Sequence, residues 1–268
     1  MRPHERIAAA IRGTTTAAGA RGARGGPALV AFVTAGYPQR AGFREQLAEI
    51  AAVADVVEIG VPFTDPMADG MTIQRSSRMA LEQGVTLPWI LDELAALRGV
   101  SAPLLLMSYL NPLLNFGYRR LAAASVVAGV CGFIVPDLPL DESDELRAAL
   151  EPHGLALVQM VTPVTPDARL ARLCAASQGF VYAVTMTGTT GRSATMPADV
   201  LAYLARVRAA ASVPVCAGFG IRTHAQVEGL RGAVDGIIVG SALVEVLERG
   251  ESPRAFLAAL RGGSSATA

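Results

Sequence analysis

Residues 56–74 read VVEIGVPFTDPMADGMTIQ, and the reading of the whole chain starts from this stretch. Val56 and Val57 open a β-branched run that suits a buried strand. Glu58 interrupts the run where an apolar side chain is expected. Gly60 and Pro62 end the strand, Asp65-Pro66 and Asp69-Gly70 mark a loop, and a helical pattern begins near Thr72. A carboxylate near the C-terminal end of a buried strand costs free energy unless it is paired or used. Glu58 therefore has two readings. One is a structural ion-pair partner; the other is a general acid–base group with a raised pKa, assisted by Asp69 on the loop above it.

Outward from this unit the same rhythm recurs. Strand-like runs fall at 29–33, 104–107, 132–136, 155–161, 180–184, 213–217 and 236–239, which with the run at Val56 makes eight, alternating with helical patterns. Asp141 is expected to cap a helix running to about Leu150. Thr165 should cap another with Pro166 at its first position, and Thr223 a short one containing Val227 and Leu230. Residues 109–112 read as a loop. Ahead of the first strand, Ile7, Ala8 and Ile11 space out a short amphipathic helix over 4–12.

No Pro/Gly/Ser-rich linker divides the chain. The pattern predicts one α/β domain over residues 1–268: a single (β/α)8 TIM barrel with an extra N-terminal helix and a short phosphate-binding helix after the eighth strand. Residues of about 12–26 and 262–268 are expected to be flexible. A doubly wound open sheet is the alternative, but no G-x-G-x-x-G follows the first strand.

Composition narrows the chemistry. The 268 residues carry no net charge, and all 23 basic residues are Arg, since the sequence contains no lysine. Schiff-base catalysis and covalent anchoring of pyridoxal phosphate are excluded for this chain acting alone. The three histidines, His4, His153 and His224, share no ligand spacing, and Cys131, Cys174 and Cys216 are isolated, so neither a metal nor a disulfide framework is expected. No basic tract points to nucleic acid, and no apolar run approaches the ~20 residues of a membrane span. The N-terminal residues lack a signal-peptide core, which reads as cytoplasmic. Carboxylates, hydroxyls, tyrosines and backbone amides are left to do the chemistry.

In barrels of this kind a phosphate often sits between the loops after strands seven and eight. Here Gly218-Phe-Gly220 follows the seventh strand and Gly240-Ser241 opens a helix after the eighth. Glycines admit backbone amides to an anion, a helix N-terminus adds a favourable dipole, and Ser241 can donate a hydroxyl. Tight βα turns explain single glycines equally; two in these loops together favour a phosphate ester. Gly188 and Gly191 of the sixth loop are placed to close over it. Arg192 and Arg222 are the nearest cations, so amides are expected to dominate recognition.

The chain resembles the α-subunit family of tryptophan synthase from AFVT (31–34) through GSAL (240–243). EIGVPFTDPMADG (58–70) with TIQ (72–74) is similar to the family signature, supported by NP (111–112), PDLP (136–139), GFGI (218–221) and GS (240–241). The resemblance implies cofactor-free retro-aldol cleavage of indole-3-glycerol phosphate to indole and glyceraldehyde 3-phosphate. It also implies a β subunit, in an α2β2 assembly, that takes the indole through a tunnel. By the same resemblance Glu58 transfers the protons, Asp69 hydrogen-bonds the indole N–H and Tyr182 assists from the sixth strand. Gly191, Gly220, Gly240 and Ser241 would hold the phosphate, and Phe32 and Tyr109 would wall the indole pocket. Ordinary packing accounts equally for Tyr182, Phe32 and Tyr109.

Met71 stands where the family usually has proline, Leu110 replaces a residue that is often tyrosine, and TMTG (185–188) replaces an arginine-bearing form. These departures leave open a stand-alone lyase releasing free indole, or a largely non-catalytic activator of a β subunit. A barrel enzyme acting on another sugar or triose phosphate is a further alternative.

Overall fold

The computed structural model describes residues 1–13, 26–185, 197–218 and 220–262. Its first half runs α1 (Pro3–Arg12), β1 (Ala28–Thr34), α2 (Phe43–Ala51), β2 (Val56–Gly60), α3 (Met71–Glu82), α4 (Leu87–Ala96), β3 (Leu104–Met107), α5 (Leu110–Phe116), α6 (Tyr118–Val127) and β4 (Val130–Ile134). Its second half runs α7 (Asp144–Leu150), β5 (Ala156–Val161), α8 (Asp167–Ala176), β6 (Val181–Val184), α9 (Ala198–Ala210), β7 (Val215–Gly218), α10 (His224–Glu228), β8 (Gly236–Val239), α11 (Ser241–Glu248) and α12 (Pro253–Leu260). The eight strands pair in parallel and in sequence order, and β8 returns to β1 to close the barrel. The TIM barrel expected from the sequence is the fold found.

Alternation along the strands divides the interior from the helix layer. Ala31 and Val33 of β1, Val57 and Ile59 of β2 and Leu106 of β3 pack outward against the helices. Val30, Val56, Leu105, Cys131, Val158, Phe180 and Cys216 fill the barrel. The N-terminal helix joins this inner cluster. Ile7, Ala10 and Ile11 pack into the foot of the barrel, and a Cβ at Gly179 would meet Ile7 at 3.2 Å, so the turn leading into β6 closes tightly over it. The His4 ring Nδ1 donates to the Gly154 carbonyl at 2.9 Å and fixes the start of α1. Helix α1 is a stopper for the lower end.

Aspartates ahead of two strands secure the same end. Asp55, before β2, accepts from the Leu29 N–H at 2.8 Å, and Asp235, before β8, accepts from the Val215 N–H at 2.8 Å. Arg261, past the end of α12, adds its guanidinium to Asp55 at 2.6 Å.

Four local expectations need correction. Asp141 does not cap the seventh helix: it lies in a single 3-10 turn, Leu140–Glu142, and pairs with Arg169 and Arg172 of α8. Thr165 accepts from the Thr162 N–H at 3.0 Å, leaving Pro166 at the cap position and Asp167 as the first helical residue of α8. Residues 110–116 are helical, because Asp137 from the next loop accepts the Leu110 N–H at 2.9 Å. The fourth strand is Val130–Ile134 rather than 132–136, since the chain already turns at 135–138, with the Leu138 N–H on the Val135 carbonyl. Thr223 does cap α10, accepting from the Gln226 N–H. The stretches expected to be flexible fall, at 14–25 and 263–268, outside the described residues. Arg12 belongs to α1.

Candidate active site

Strand β2 carries Glu58 inward at the level of Phe32 on β1 and Leu105 on β3. The side chain is wholly buried, and neither carboxyl oxygen has a hydrogen-bond partner among the described residues. Burial, then the nearby Asp69 carboxylate, pushes its pKa up to about 8. The group therefore holds a proton at neutral pH.

The chain leaves β2 through Gly60, whose lack of a side chain is required. A Cβ there would lie 2.6 Å from the Phe32 ring, so glycine lets Phe32 lie across the strand end. The following loop folds back over the barrel mouth. The Ala68 N–H donates to the Tyr109 hydroxyl at 2.9 Å, and Gln74 Nε2 to the Asp69 carbonyl at 2.8 Å. Asp69 is thereby held above Glu58. Burial raises its pKa to about 6, with the Tyr109 hydroxyl pulling the other way. Two carboxyl groups share one cleft and lose their protons in separate ranges.

That cleft has a volume of about 570 Å³ and opens at the C-terminal ends of the strands. Phe32, Ile73, Met107, Met160 and Ile238 make apolar walls around Glu58, Asp69 and Tyr182. Tyr182 stands on β6 level with Met160 and Cys216. Its hydroxyl, with no hydrogen-bond partner among the described residues, has a pKa raised by burial and by the two carboxylates. At the far side Gly220 (φ +62°), Gly240 and Ser241 line the same cleft, Gly240 at the N-cap and Ser241 the first residue of α11.

Glu58, Asp69, Tyr182, Phe32, Gly220, Gly240 and Ser241 thus converge. Tyr109 stands at the edge of the cleft: it stacks on Phe63 with ring centres 5.2 Å apart, and its hydroxyl meets both the Ala68 N–H and the Asp69 side chain. Gly188, Gly191 and Arg192 lie outside the described residues. No group of His, Cys, Asp and Glu among the described residues could hold a metal ion.

The sequence model of the family described as tryptophan synthase alpha chain matches residues 20–262. The chain belongs to the tryptophan synthase alpha chain family. The alpha chain of Nitratidesulfovibrio vulgaris strain Hildenborough is 46% identical over 239 residues, covering 88% of this chain and 93% of the relative. That of Geobacter sulfurreducens is 43% identical over 242 residues, covering 87% and 92%. Among solved structures, a chain of Mycobacterium tuberculosis tryptophan synthase in an aminoacrylate-bound form superposes with a TM-score of 0.83 at 31% identity, over 98% of this chain and 99% of that one. The Legionella pneumophila alpha subunit gives 0.84 at 27% identity, covering 98% of each.

One part of this family member's site was missed in the sequence. Glu245 of α11 lines the cleft and pairs with Arg222. The available signal was spacing: Glu245 lies four residues beyond Ser241, on the same helix face.

Proposed function

We propose that this chain cleaves indole-3-glycerol phosphate to indole and glyceraldehyde 3-phosphate as the alpha subunit of a tryptophan synthase. The observation that carries the mechanism is Glu58: a buried carboxyl whose two oxygens have no partner among the described residues, facing a cleft whose far side suits a phosphate. Such a group costs stability and is of use to a bound ligand.

The steps balance on Glu58 alone. The protonated carboxyl donates to indole C3, and the ring becomes an iminium whose N–H is held by ionised Asp69. The Glu58 carboxylate then takes the proton of the glycerol hydroxyl adjacent to the scissile bond. The carbon–carbon bond breaks, its electron pair restores the aromatic indole, an aldehyde carbonyl forms, and Glu58 is protonated again. Tyr182 adjoins both carboxyls and acts as a neutral hydroxyl donor. The apolar walls take the indole ring, and the amides at Gly220, Gly240 and Ser241 with the start of α11 take the phosphate.

A beta subunit is the proposed partner, in an α2β2 assembly. Met67 and Met71, on either side of Asp69, are 85% and 78% exposed, and Leu114 of the neighbouring α5 is 54% exposed. Large apolar side chains left in water beside the cleft suit a covering surface. Among the described residues no helix is long and apolar enough to cross a membrane.

The test is a lyase assay on the purified chain with and without a tryptophan synthase beta subunit. Weak turnover raised by the partner is expected. Brisk turnover alone would favour a stand-alone lyase, and none in either setting would overturn the catalytic assignment.

A further inference from the structure

Arg222 and Glu245 stand on the cleft wall with Gly220, Gly240 and Ser241. The Arg222 backbone N–H donates to Gln226 Oε1 at 2.8 Å, which fixes the residue at the start of α10. Its guanidinium grips Glu245 at two points, Nη1 to Oε2 at 2.6 Å and Nη2 to Oε1 at 2.9 Å. On the other side the Thr72 hydroxyl donates to Glu245 Oε1 at 3.5 Å.

Side chains on a helix lean toward its N-terminus, so Glu245 reaches back over the helix end that Ser241 begins. That places a carboxylate beside amides and a dipole that favour an anion. Unopposed, it would repel a phosphate dianion. Arg222 cancels it while spending only two of its five N–H donors; the other three have no partner among the described residues. The Arg222 side chain is 49% exposed, so its remaining donors face the open cleft.

We propose that Arg222 is a specificity-determining residue for the phosphate group: paired with Glu245 until the ester binds, it then turns its other N–H donors to the phosphoryl oxygens. Glu245 competes for the same guanidinium and so weakens that binding. This rests on the reading of the β7–β8 end as the phosphate seat. It adds a side-chain cation to the amides proposed to hold the phosphate.

The two partners then have opposite effects. In titrations of the full chain with glycerol 3-phosphate and with inorganic phosphate, Arg222→Gln should weaken binding about tenfold. It should raise KM for indole-3-glycerol phosphate more than it lowers kcat, and Arg222→Lys should restore part of the loss. Glu245→Gln, which keeps the shape and removes the competing charge, should tighten both phosphates about three- to tenfold. Binding of unphosphorylated indole should not change in any variant.

A bridge that merely braces α11 predicts loss of phosphate affinity in both variants; that parallel loss, or no change in either, would overturn the proposal. Were Arg222→Gln to fail to fold, the sign of the Glu245→Gln change decides alone. Wild type that binds neither phosphate and shows no lyase turnover would instead sink the phosphate seat itself, and the Arg222 role with it.

Discussion

Two buried carboxyl side chains flank strand β2 three positions apart, and they are treated in opposite ways. Asp55, just before the strand, is given a backbone N–H and the Arg261 guanidinium. Glu58, within it, is given no partner among the described residues. A carboxyl supplied with partners ties the chain together; one denied them in a buried site keeps its proton until a ligand takes it. The barrel thus separates holding from reacting along a single strand, with the lower end satisfied and the upper end left wanting.

The strongest way to break that contrast is Glu58→Gln. Turnover should fall by about 10²- to 10⁴-fold while indole-3-glycerol phosphate still binds. Unchanged turnover would remove Glu58 from the chemistry. Stability should change in the other sense. The folded pKa of about 8 lies above the ordinary 4.5, so the native state binds the proton more tightly than the unfolded chain does. Wild-type stability should therefore fall as pH rises through that window, by up to about 1.4 kcal/mol per pH unit. Urea midpoints at pH 5 and pH 9 should differ in wild type by clearly more than in Glu58→Gln; equal differences would mean the carboxyl is solvated.

Asp69→Asn comes next, with an expected loss in kcat/KM of about a hundredfold or more. The pH profile sharpens the assignment. With Asp69 ionised above about 6 and Glu58 protonated below about 8, kcat/KM should be bell-shaped between those limits. Asp69→Asn should erase the acid arm and leave the alkaline one; loss of the alkaline arm instead would exchange the two roles.

The smallest effect belongs to the satisfied end. Arg261→Ala strips the guanidinium from a buried acid whose cation is itself partly exposed, and should cost about 2 kcal/mol in urea unfolding. KM and kcat should be untouched. Were they to collapse as well, the two ends of β2 would not be independent.

The barrel was legible because β-branched runs and helical spacing are local signals, repeated eight times. Glu58 was legible as an acid out of place in such a run, and Gly240-Ser241 as a turn opening a helix. Partners supplied from distant loops left no such trace. Asp137 reaches back to cap α5, and Asp141 turns away from its own helix to two arginines on α8. The guanidinium that completes Asp55 comes from the far end of the chain. Tyr109 is placed on the pocket wall by resemblance alone, with ordinary packing as the equal reading. Its hydroxyl ties the loop to the site, meeting the Ala68 N–H and the Asp69 side chain, a long-range link that spacing does not reveal.

The stopper formed by Ile7, Ala10 and Ile11 makes the barrel one-ended. Everything that reaches Glu58, whether water, proton or substrate, has to descend from the mouth, where the ligand itself stands in the way. Pulling the cork by deleting residues 1–13 would let moisture seep up from the foot. The carboxyl would then drift back toward an ordinary acid, and the proton meant for indole would leak away to the solvent.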